Sequence, residues 1–504
     1  MTTDAAPAPS QPSRSSRSAT DAWRDSFPHG ATLSVVVPVY NERFYVVELL
    51  TRLLAVRPLG IARLEVIVVD DGSTDGTTAL AHEVAARHEG QIQVVATSGH
   101  AGKGAAVRAG VDAATGDLIV IQDADLEYDP RDLTALVRPF LEDGADVVYG
   151  SRVAPTGRRR SVSFRQTVGN RVLTLLSNLC TNLDLTDVET GYKMFRASLL
   201  KATPIRSNDF AMEIELTAKV AKRGWRVFEV PVSYCARTRR EGKKIGWWDS
   251  ARAVGAIVWF WCVDDLYKDD VTGAPMHRSL RRVRRLDAWL ADTVRPWLGD
   301  RVLELGAGVG NLSRQLVPRT RYVAADVDQT HVAYLRGVTA AKTGLSAAQL
   351  DPEVPSSFVG EEGAFDTVLC VNILEEVDDP MVVLRNVGRA LAPGGRVVVY
   401  VPQGQDLYSP LDEEAGHRCR YDRRLLAQEL QESGYEVEHL DDFNRLSMPA
   451  WWFFGKIRGR REFAGWQISL LNLRIGLFRW IDHLLPWSGL GLIAVARKNA
   501  PTPD

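Results

Sequence analysis

The sequence predicts an α/β protein with two domains, each built on a largely parallel sheet. Short runs rich in Val and Ile alternate with longer helical patterns, first from Leu33 to about Lys268 and again from Arg301 onward. Such alternation favours a parallel sheet covered by helices on both faces. A chain of 504 residues is also too long for one hydrophobic core. Its 45% hydrophobic and 25% charged residues are ordinary for a globular protein.

Composition and cysteine usage exclude several classes of protein. A net charge of -2 gives no general attraction to nucleic acid, so no nucleic-acid partner is expected. The five cysteines lack CxxC pairing, which argues against a disulfide framework or a zinc site and suits a reducing compartment. The longest apolar run, residues 253–263, is far shorter than the roughly 20 residues of a spanning helix. We therefore expect a cytoplasmic protein, with peripheral contact at the cytoplasmic face of a membrane as a further expectation.

The chain divides into a tail and two domains. Residues 1–30 are rich in Ala, Pro, Ser and Thr and lack the apolar block of a secretory signal, so a disordered tail is expected. The first α/β series stops near Lys268, where the Arg-rich helical segment "MHRSLRRVRRLDAWL" follows. We therefore predict a first domain over residues 31–270 and a second over residues 271–504.

In the first domain, polar groups follow three of the four predicted strands. The strands are "LSVVVPV", "LEVIVVDD", "IQVVAT" and "DLIVIQDAD", and the helices "VVELLTRLLA" and "TTALAHEVAARH" lie between them. Ligands of an open α/β sheet bind at the carboxyl ends of its strands. The polar ends comprise Pro38, Tyr40, Asn41 and Glu42 after the first strand, Asp70 and Asp71 after the second, and Asp123 and Asp125 after "DLIVIQ". The sequence thus predicts a binding site at this edge.

The run "DADLEYD" raises the question of why a buried strand ends in so many acids. Like charges this close repel each other, and solvent, protonation or a cation must relieve the repulsion. A solvated, acid-rich turn is the ordinary explanation. The functional explanation is a divalent cation, Mg²⁺ or Mn²⁺, held by Asp123 and Asp125 and shared with a diphosphate. Acids at three neighbouring strand ends favour the functional explanation.

These motifs resemble the family 2 glycosyltransferases of GT-A fold, over about residues 31 to 265. The resemblance implies a nucleotide-sugar donor of the GDP-mannose or UDP-sugar type. It also implies that Asp123, Ala124 and Asp125 form the metal and diphosphate site, and that Lys103 in "GHAGKGAAVRAG" meets a phosphate. A P-loop is not implied, because no Ser or Thr follows the Gly-Lys pair.

Further motifs are similar to the polyprenyl-phosphate branch of that family, which includes the dolichyl-phosphate-mannose synthases. They are "YGSR" with Arg152, "DVETGYKMF" with Asp187, "FAMEIEL" with Glu213, and the basic segment 229–252. In that segment the resemblance implies that Arg237 and Lys243 hold the phosphate of a polyprenyl phosphate acceptor, because cations are needed beside two anions. A solvated charged loop is the alternative. Glu127 stands where relatives often have Gln, and no transmembrane pair follows the domain.

The catalytic expectation follows from charge. A metal at Asp123 and Asp125 neutralises the departing nucleoside diphosphate, while the acceptor attacks the anomeric carbon from the opposite face and inverts it. A phosphate acceptor is already a nucleophile and needs no strong base. A hydroxyl acceptor, as in a glycan, makes Glu213 or Asp187 the candidate base.

The second domain contains another strand followed by a glycine-rich turn, "RVLELGAGVGN". The glycines are spaced GxGxG, which differs from the GxGxxG of a pyrophosphate-binding turn. Glu304, two residues before the first glycine, disfavours a pyrophosphate and suits a cofactor that has an amino group and a sulfonium. Asp326 ends the next strand, "RYVAADVD", where it is placed to accept both ribose hydroxyls.

With "FDTVLCVN" and "GRVVVYVP", this pattern is similar to class I S-adenosylmethionine-dependent methyltransferases over about residues 290 to 500. The cofactor positions that the resemblance implies are Glu304, Gly306, Ala307, Gly308, Gly310, Asn311, Asp326, Asp351 and Asn372. The chain has Glu375-Glu376 where relatives often have Glu-His. His417 and Tyr421 lie near the expected active-site mouth, and a buried structural histidine is the alternative to a base there.

Together these features predict a bifunctional enzyme, in which a glycosyltransferase acting on a polyprenyl phosphate or glycan is fused to a methyltransferase of the same pathway. Two alternatives remain at this point. The acceptor could be a soluble hydroxyl compound such as a natural product, or one domain could be a non-catalytic binding module. The segment 448–487, which mixes apolar, aromatic and basic residues, is explained either by the last helices of the domain or by a surface facing anionic lipid.

Overall fold

A computed structural model describes residues 30–97, 99–153, 164–237, 247–263, 284–339, 344–463 and 465–499. Three predictions concern residues outside these ranges: the disordered tail except for Gly30, the domain boundary near residue 270, and the role of Lys243. Within the described ranges, no helix combines the length and the apolar character needed to cross a membrane.

The first sheet has seven strands in the order β3-β2-β1-β4-β6-β5-β7. Its strands are β1 (Ala31–Val39), β2 (Ile61–Asp70), β3 (Ile92–Ala96), β4 (Leu118–Ile121), β5 (Val147–Ser151), β6 (Lys193–Arg196) and β7 (Val227–Pro231). The strand β6 is antiparallel to both neighbours, and the remaining pairings are parallel. The largely parallel sheet and all four strands predicted in this domain are therefore confirmed.

Helices cover this sheet because each presents an apolar face. They are α1 (Val46–Ala55), α2 (Thr77–Arg87), α3 (Lys103–Ala113), α4 (Leu133–Glu142), α5 (Phe164–Thr181), α6 (Ala197–Lys201), α7 (Ala211–Lys222) and α8 (Trp247–Cys262). In α1, for example, Val46, Leu49, Leu50 and Leu53 are buried. Their spacing of three and four residues places them on one side of the helix. The strands β1, β2 and β4 thus end at one edge of a sheet that is buried on both faces.

The second sheet also has seven strands, in the order β10-β9-β8-β11-β12-β14-β13. They are β8 (Arg301–Leu305), β9 (Arg321–Asp326), β10 (Leu345–Gln349), β11 (Phe365–Val371), β12 (Leu391–Pro402), β13 (Tyr435–Phe443) and β14 (Gly491–Lys498). The strand β14 runs antiparallel to β12 and β13, whereas the others are parallel. The predicted α/β class is confirmed here too.

The helices of the second domain follow the same rule. They are α9 (Arg284–Val294), α10 (Ser313–Leu316), α11 (Gln329–Thr339), α12 (Pro380–Ala390), α13 (Pro410–Glu414), α14 (Arg423–Glu432), α15 (Met448–Trp451) and α16 (Gly465–Ile481). In the segment 448–487, Trp451, Ile468 and Ile475 are buried, but Trp452 and Trp480 are exposed. This segment therefore packs on its own domain and also keeps large apolar side chains at the surface.

Candidate active sites of the two domains

Lys103 lies at the centre of the acidic edge of the first sheet, where it begins α3. Its Nζ is 2.7 Å from a carboxylate oxygen of Asp123 and 2.9 Å from one of Glu213. Burial opposes the charge of the lysine, but these two carboxylates hold its pKa above the usual value. The lysine predicted to meet a phosphate therefore neutralises the first acid of the DxD triplet and a candidate base.

Arg237 forms an ion pair with Asp125, the second acid of the DxD triplet. Its Nη2 donates to Asp125 at 2.6 Å, and its backbone N–H donates to Glu127 at 2.7 Å. Glu127 also accepts a hydrogen bond from Tyr234 Oη at 2.5 Å. Burial, with repulsion from Asp123 and Glu127, raises the pKa of Asp125 to about 6 despite the arginine. The arginine expected to bind the acceptor phosphate is therefore held among the acids that are expected to bind a metal.

An aromatic pair lies at the end of β1. The rings of Tyr40 and His100 stack with centroids 3.9 Å apart. His100 Nδ1 is 2.8 Å from Asp71, which also accepts the backbone N–H groups of Ala101 and Gly102 at 2.9 and 2.8 Å. Asp71 thus closes the loop before α3 and positions an aromatic surface next to the acidic site. His100 was missed in the sequence because nothing in "SGHAGKG" indicates stacking.

Asn41 and Asp70 organise the loop that follows β2. The side chain of Asn41, whose φ is 55°, accepts from Thr74 N at 2.8 Å. Asp70 accepts from Ser73 N at 3.2 Å and from Thr78 Oγ1 at 2.6 Å. Both side chains accept hydrogen bonds from backbone N–H groups of the loop. This geometry indicates that the two residues support the loop of the predicted nucleotide-sugar site.

Three further predicted residues complete this edge. Pro38 lies within β1 and pairs in register with Val69, and Ala124 is buried between the two acids. Glu42 accepts from Arg237 at 3.5 Å through its carboxylate. Glu42 therefore belongs to the acidic group around the arginine, whereas the other two shape the backbone.

Arg152 and Asp187 form a buried bidentate pair. The guanidinium donates two hydrogen bonds to the carboxylate, at 2.6 and 2.7 Å, and the backbone N–H of Arg152 adds a third at 3.1 Å. Burial opposes the charge of Asp187, but Arg152 outweighs it and holds the pKa of the carboxyl below its usual value. A carboxylate with three donors and a lowered pKa is a weak base.

In the second domain, the glycine-rich turn has the conformation that its sequence requires. Gly306, Gly308 and Gly310 have φ values of 73°, 55° and 73°, where a side chain is disfavoured. Gly308 N donates to Asp326 at 2.7 Å, so the turn is tied to the end of β9. A Cβ on Gly308 would meet no atom within 4 Å. The turn therefore faces open space at Gly308, as a cofactor cradle must.

Two acids flank this turn in different ways. Burial opposes the charge of Asp326, but His331 outweighs it and holds the pKa of Asp326 below its usual value. Glu304 is buried, and one of its oxygens accepts from Ser313 Oγ at 2.5 Å and from Tyr322 Oη at 2.9 Å. Burial raises the pKa of Glu304 to about 7. Asp326 is thus a charged acceptor at the strand end, whereas Glu304 bonds to neighbouring side chains.

The remaining predicted cofactor residues lie around the turn. Asn311 donates to Asp287 of α9 at 3.0 Å. Asp351 follows β10 closely, and Asn372 follows β11 directly with a φ of 50°. Ala307 is buried within the turn. The predicted residues are therefore brought together at the carboxyl ends of the parallel strands.

His417 and Tyr421, singled out in the sequence, are both buried. His417 Nδ1 is 3.1 Å from Asp412, and Tyr421 Oη donates to the carbonyl of Leu374 at 3.3 Å. Sequence reasoning missed Asp412, because only the fold brings α13 next to the segment after β11.

Comparisons with known proteins agree with this division. The family model "Glycosyl transferase family 2" matches residues 34–203, and a model described as "Methyltransferase domain" matches residues 277–440. A polyprenol monophosphomannose synthase of Mycolicibacterium smegmatis is 31% identical over 218 residues, covering 42% of this chain and 80% of that protein. An uncharacterized glycosyltransferase of Mycobacterium bovis is 36% identical over 240 residues, covering 46% and 98%. A dodecaprenyl-phosphate galacturonate synthase of Rhizobium johnstonii is 33% identical over 34% of this chain, which spans about half, 49%, of that protein.

Proposed function

Because the chain belongs to glycosyl transferase family 2 through its first domain and continues into a methyltransferase domain, we propose that it is a bifunctional enzyme. Its first domain transfers a sugar from a nucleotide-sugar to a polyprenyl phosphate, with inversion at the anomeric carbon. Its second domain transfers a methyl group from S-adenosylmethionine in the same pathway. We place the boundary between the two domains near residue 270.

The observation that supports a lipid acceptor is an exposed apolar stripe on α5. Phe164, Val168, Val172, Leu175 and Leu179 recur every three or four residues, and their exposed fractions range from 41% to 80%. This spacing places them on one face of the helix. Extended apolar surface of this kind marks a site of contact with lipid or protein.

The neighbouring helix α8 also exposes large apolar side chains. Val258, Trp259 and Trp261 are 52%, 63% and 57% exposed, and α8 packs against α5. Tryptophan side chains are favoured at the boundary between water and lipid. Relatives named for polyprenol and dodecaprenyl phosphate products support the same acceptor class.

The acidic residues fit a divalent cation. Burial, followed by repulsion from Asp123 and Glu127, raises the pKa of Asp125 to about 6. A cation at Asp123 and Asp125 would relieve the repulsion. Among the described residues, no group of three or more His, Cys, Asp or Glu side chains is arranged to hold a metal. Diphosphate oxygens of the donor are therefore expected to complete the coordination. The cation would neutralise the departing diphosphate.

The first domain needs no strong base in this proposal. Asp187 is held by Arg152, and Glu213 is paired with Lys103. Since a phosphate acceptor is already an anionic nucleophile, these pairs do not have to break. Arg237 would leave Asp125 when the metal arrives and would then bind the acceptor phosphate together with Lys243.

The residues of the second domain fit S-adenosylmethionine. Asp326 offers a charged acceptor for ribose hydroxyls, and the space at Gly308 is open. When bound, the cofactor supplies an electrophilic methyl group on a sulfonium. The chain's own residues fix the ribose and leave room for the cofactor against the turn.

Transfer to undecaprenyl phosphate in vesicles tests the lipid acceptor. The double variant Leu175→Glu and Leu179→Glu should lose transfer in vesicles by tenfold or more and keep most transfer to a short-chain polyprenyl phosphate in detergent. Leu59→Glu is the matched control, because Leu59 is 75% exposed but lies between α1 and β2. A double variant that transfers normally in vesicles, or a wild type that prefers soluble hydroxyl compounds, would overturn the lipid assignment.

Metal dependence is tested by Mn²⁺ titration with a panel of nucleoside diphosphates. Asp125→Asn should abolish Mn²⁺-dependent stabilisation and sugar transfer and leave S-adenosylhomocysteine binding unchanged. Arg237→Ala should tighten Mn²⁺ binding, because it removes a competing cation 2.6 Å from Asp125, and should still impair acceptor use. Unchanged Mn²⁺ affinity in Arg237→Ala would show that the arginine does not compete with the metal.

A further inference from the structure

A buried cluster of three titratable side chains lies next to the glycine-rich turn of the second domain. Glu375, Asp412 and His417 are 0%, 0% and 8% exposed. Glu375 belongs to the segment that follows β11. In the same segment, Ile373 Cδ1 lies 2.7 Å from the place that a Cβ on Gly306 would take. Ile373, two residues before Glu375, therefore packs against the turn.

Asp412 fixes the orientation of His417. Its carboxylate lies 3.1 Å from His417 Nδ1, and it accepts from Arg420 Nε at 2.7 Å and from Trp451 Nε1 at 3.4 Å. Burial opposes the charge of Asp412, but His417 and Arg420 outweigh it and hold the pKa of the carboxyl below its usual value. An ionised Asp412 accepts a hydrogen bond from the N–H at Nδ1, and in this tautomer of the neutral imidazole Nε2 carries the lone pair.

That lone pair faces an unpartnered acid. Both carboxyl oxygens of Glu375 are buried and have no hydrogen-bond partner among the described residues, and one of them is 3.9 Å from His417 Nε2. This distance is too long for a hydrogen bond, yet a single oxygen atom can lie within hydrogen-bonding distance of both groups. Burial raises the pKa of Glu375 well above its usual value, which favours the neutral acid, a hydrogen-bond donor. Buried polar groups are normally hydrogen-bonded, so a bound water or a ligand hydroxyl is expected between these two groups.

We propose that Glu375 and His417 bind the hydroxyl group that receives the methyl group, which makes the second domain an O-methyltransferase. This inference rests on the methyl transfer proposed above. The O–H bond of the acceptor breaks, and its proton passes to His417 Nε2. The freed electron pair of the oxygen forms the new C–O bond, while the C–S bond of the sulfonium breaks and its pair remains on sulfur. Asp412 stabilises the resulting imidazolium, and Glu375 donates to the acceptor oxygen.

The chemistry of the cluster favours a hydroxyl over other acceptors. A carboxylate or thiolate is already an anionic nucleophile and needs no base. A sugar or lipid hydroxyl is very weakly acidic and gains from a positioned base, an effect that typically amounts to roughly 10²–10⁴-fold in rate. A neutral acid beside that base also suits a neutral acceptor, because it provides no negative charge for an ammonium group.

The test uses the full chain with labelled S-adenosylmethionine and two probes, methyl α-D-mannopyranoside and D-glucosamine. Mass spectrometry should find a methyl ether on the mannoside and no N-methyl product on glucosamine. His417→Gln should lower the rate by about 100-fold, and Glu375→Gln should raise KM more than it lowers kcat. His439→Gln is the matched control, because His439 also pairs with an aspartate, at 2.6 Å from Asp441, but lies on β13. N-methylation of glucosamine, or a His417→Gln rate within twofold of wild type, would overturn the proposal.

Two further measurements separate the possible failures. In ¹⁵N spectra, the His417 signals are identified as those that disappear in His417→Gln. In the wild type they should show a proton on Nδ1 and none on Nε2. In Asp412→Asn the proton should move to Nε2. If neither probe is methylated, a protonated Nε2 in the wild type overturns the inference and an unprotonated one supports it. Calorimetry with S-adenosylhomocysteine should give similar affinities for wild type and His417→Gln. A wild type that does not bind this ligand contradicts the proposed methyl transfer itself.

Discussion

Single residues in the first domain show how the chain stabilises an acidic site before any ligand binds. Lys103 pairs with Asp123, and Arg237 pairs with Asp125. Each acid of the DxD triplet therefore has its own cation. A buried charge without a partner is costly, so these cations stabilise the free enzyme. They must be rearranged when a metal and a diphosphate bind, which couples ligand binding to the position of Arg237.

Glu304 makes the stability of the second domain depend on pH. Its pKa of about 7 lies above the ordinary value of 4.5 because the carboxyl is buried. A carboxyl with a raised folded pKa stabilises the fold below its unfolded pKa, and that stability is lost as the pH rises through about 7. Glu304→Gln should therefore gain stability relative to wild type between about pH 5 and pH 8, by a few kcal/mol at most, since one pKa unit corresponds to about 1.4 kcal/mol.

Urea unfolding of the free protein at both pH values measures this difference. Glu436→Gln, at an exposed position on β13, is the control and should behave like wild type at both. A difference between Glu304→Gln and wild type that does not change with pH would mean that the carboxyl stays in one protonation state.

Gly308 should matter for the cofactor more than for the fold. Its φ of 55° makes any side chain strained, at roughly 1–2 kcal/mol, but a Cβ there would meet no atom within 4 Å. Gly308→Ala should thus weaken S-adenosylhomocysteine binding by tenfold or more, as measured by calorimetry. Gly434→Ala has the same kind of strain, with a φ of 84° and open space, but lies outside the turn and should keep full affinity. Equal affinities in the two variants would place the cofactor elsewhere.

At the scale of elements, the start of α3 depends on close backbone contact. Gly104 N donates to the carbonyl of Asn208 at 2.8 Å, and a Cβ on Gly104 would lie 2.1 Å from the carbonyl oxygen of Ser207. Only glycine permits this approach, and it brings Lys103 to Asp123. A loop between α6 and α7 therefore determines where the lysine of the acidic site lies.

Gly104→Ala should lower the free energy of unfolding by roughly 1–3 kcal/mol, as expected for overpacking, and should impair sugar transfer by moving Lys103. Gly169→Ala is the matched control, because Gly169 also lies within a helix, α5, and its Cβ would meet no atom within 4 Å. That variant should be equally or more stable than wild type, since alanine favours helix by up to about 1 kcal/mol. Thermal unfolding and a transfer assay measure both variants, and a stable, active Gly104→Ala would contradict the packing argument.

At the scale of the whole molecule, the two domains share a contact that reaches the glycine-rich turn. The guanidinium of Arg314 donates to the carbonyl of Arg223 in the first domain at 3.1 Å. It also donates to the carbonyl of Val309, in the turn, at 3.1 Å and to Tyr334 Oη at 3.0 Å. One side chain thus links the end of α7 to the turn that is expected to hold the cofactor.

Arg314→Ala should lower both the melting temperature and the affinity for S-adenosylhomocysteine, the latter by roughly threefold to tenfold. Hydrogen bonds from a charged group typically contribute about 1.5–3 kcal/mol, and partial exposure reduces this contribution. Arg336→Ala is the matched control, because Arg336 is an exposed arginine on α11. Calorimetry measures both effects, and an Arg314→Ala variant that matches Arg336→Ala would show that the domains do not influence each other through this contact.

The sequence by itself determined the two largely parallel sheets, because hydrophobic periodicity and strand-end residues are local features of the chain. It also determined the conformation of the turn at Gly306, Gly308 and Gly310, since positive φ values favour glycine. Only the tertiary structure decided which charges meet. The contacts of Arg237 with Asp125 and of His417 with Glu375 join residues far apart in the chain. Such contacts depend on how loops return to a sheet edge, and no local spacing encodes that geometry.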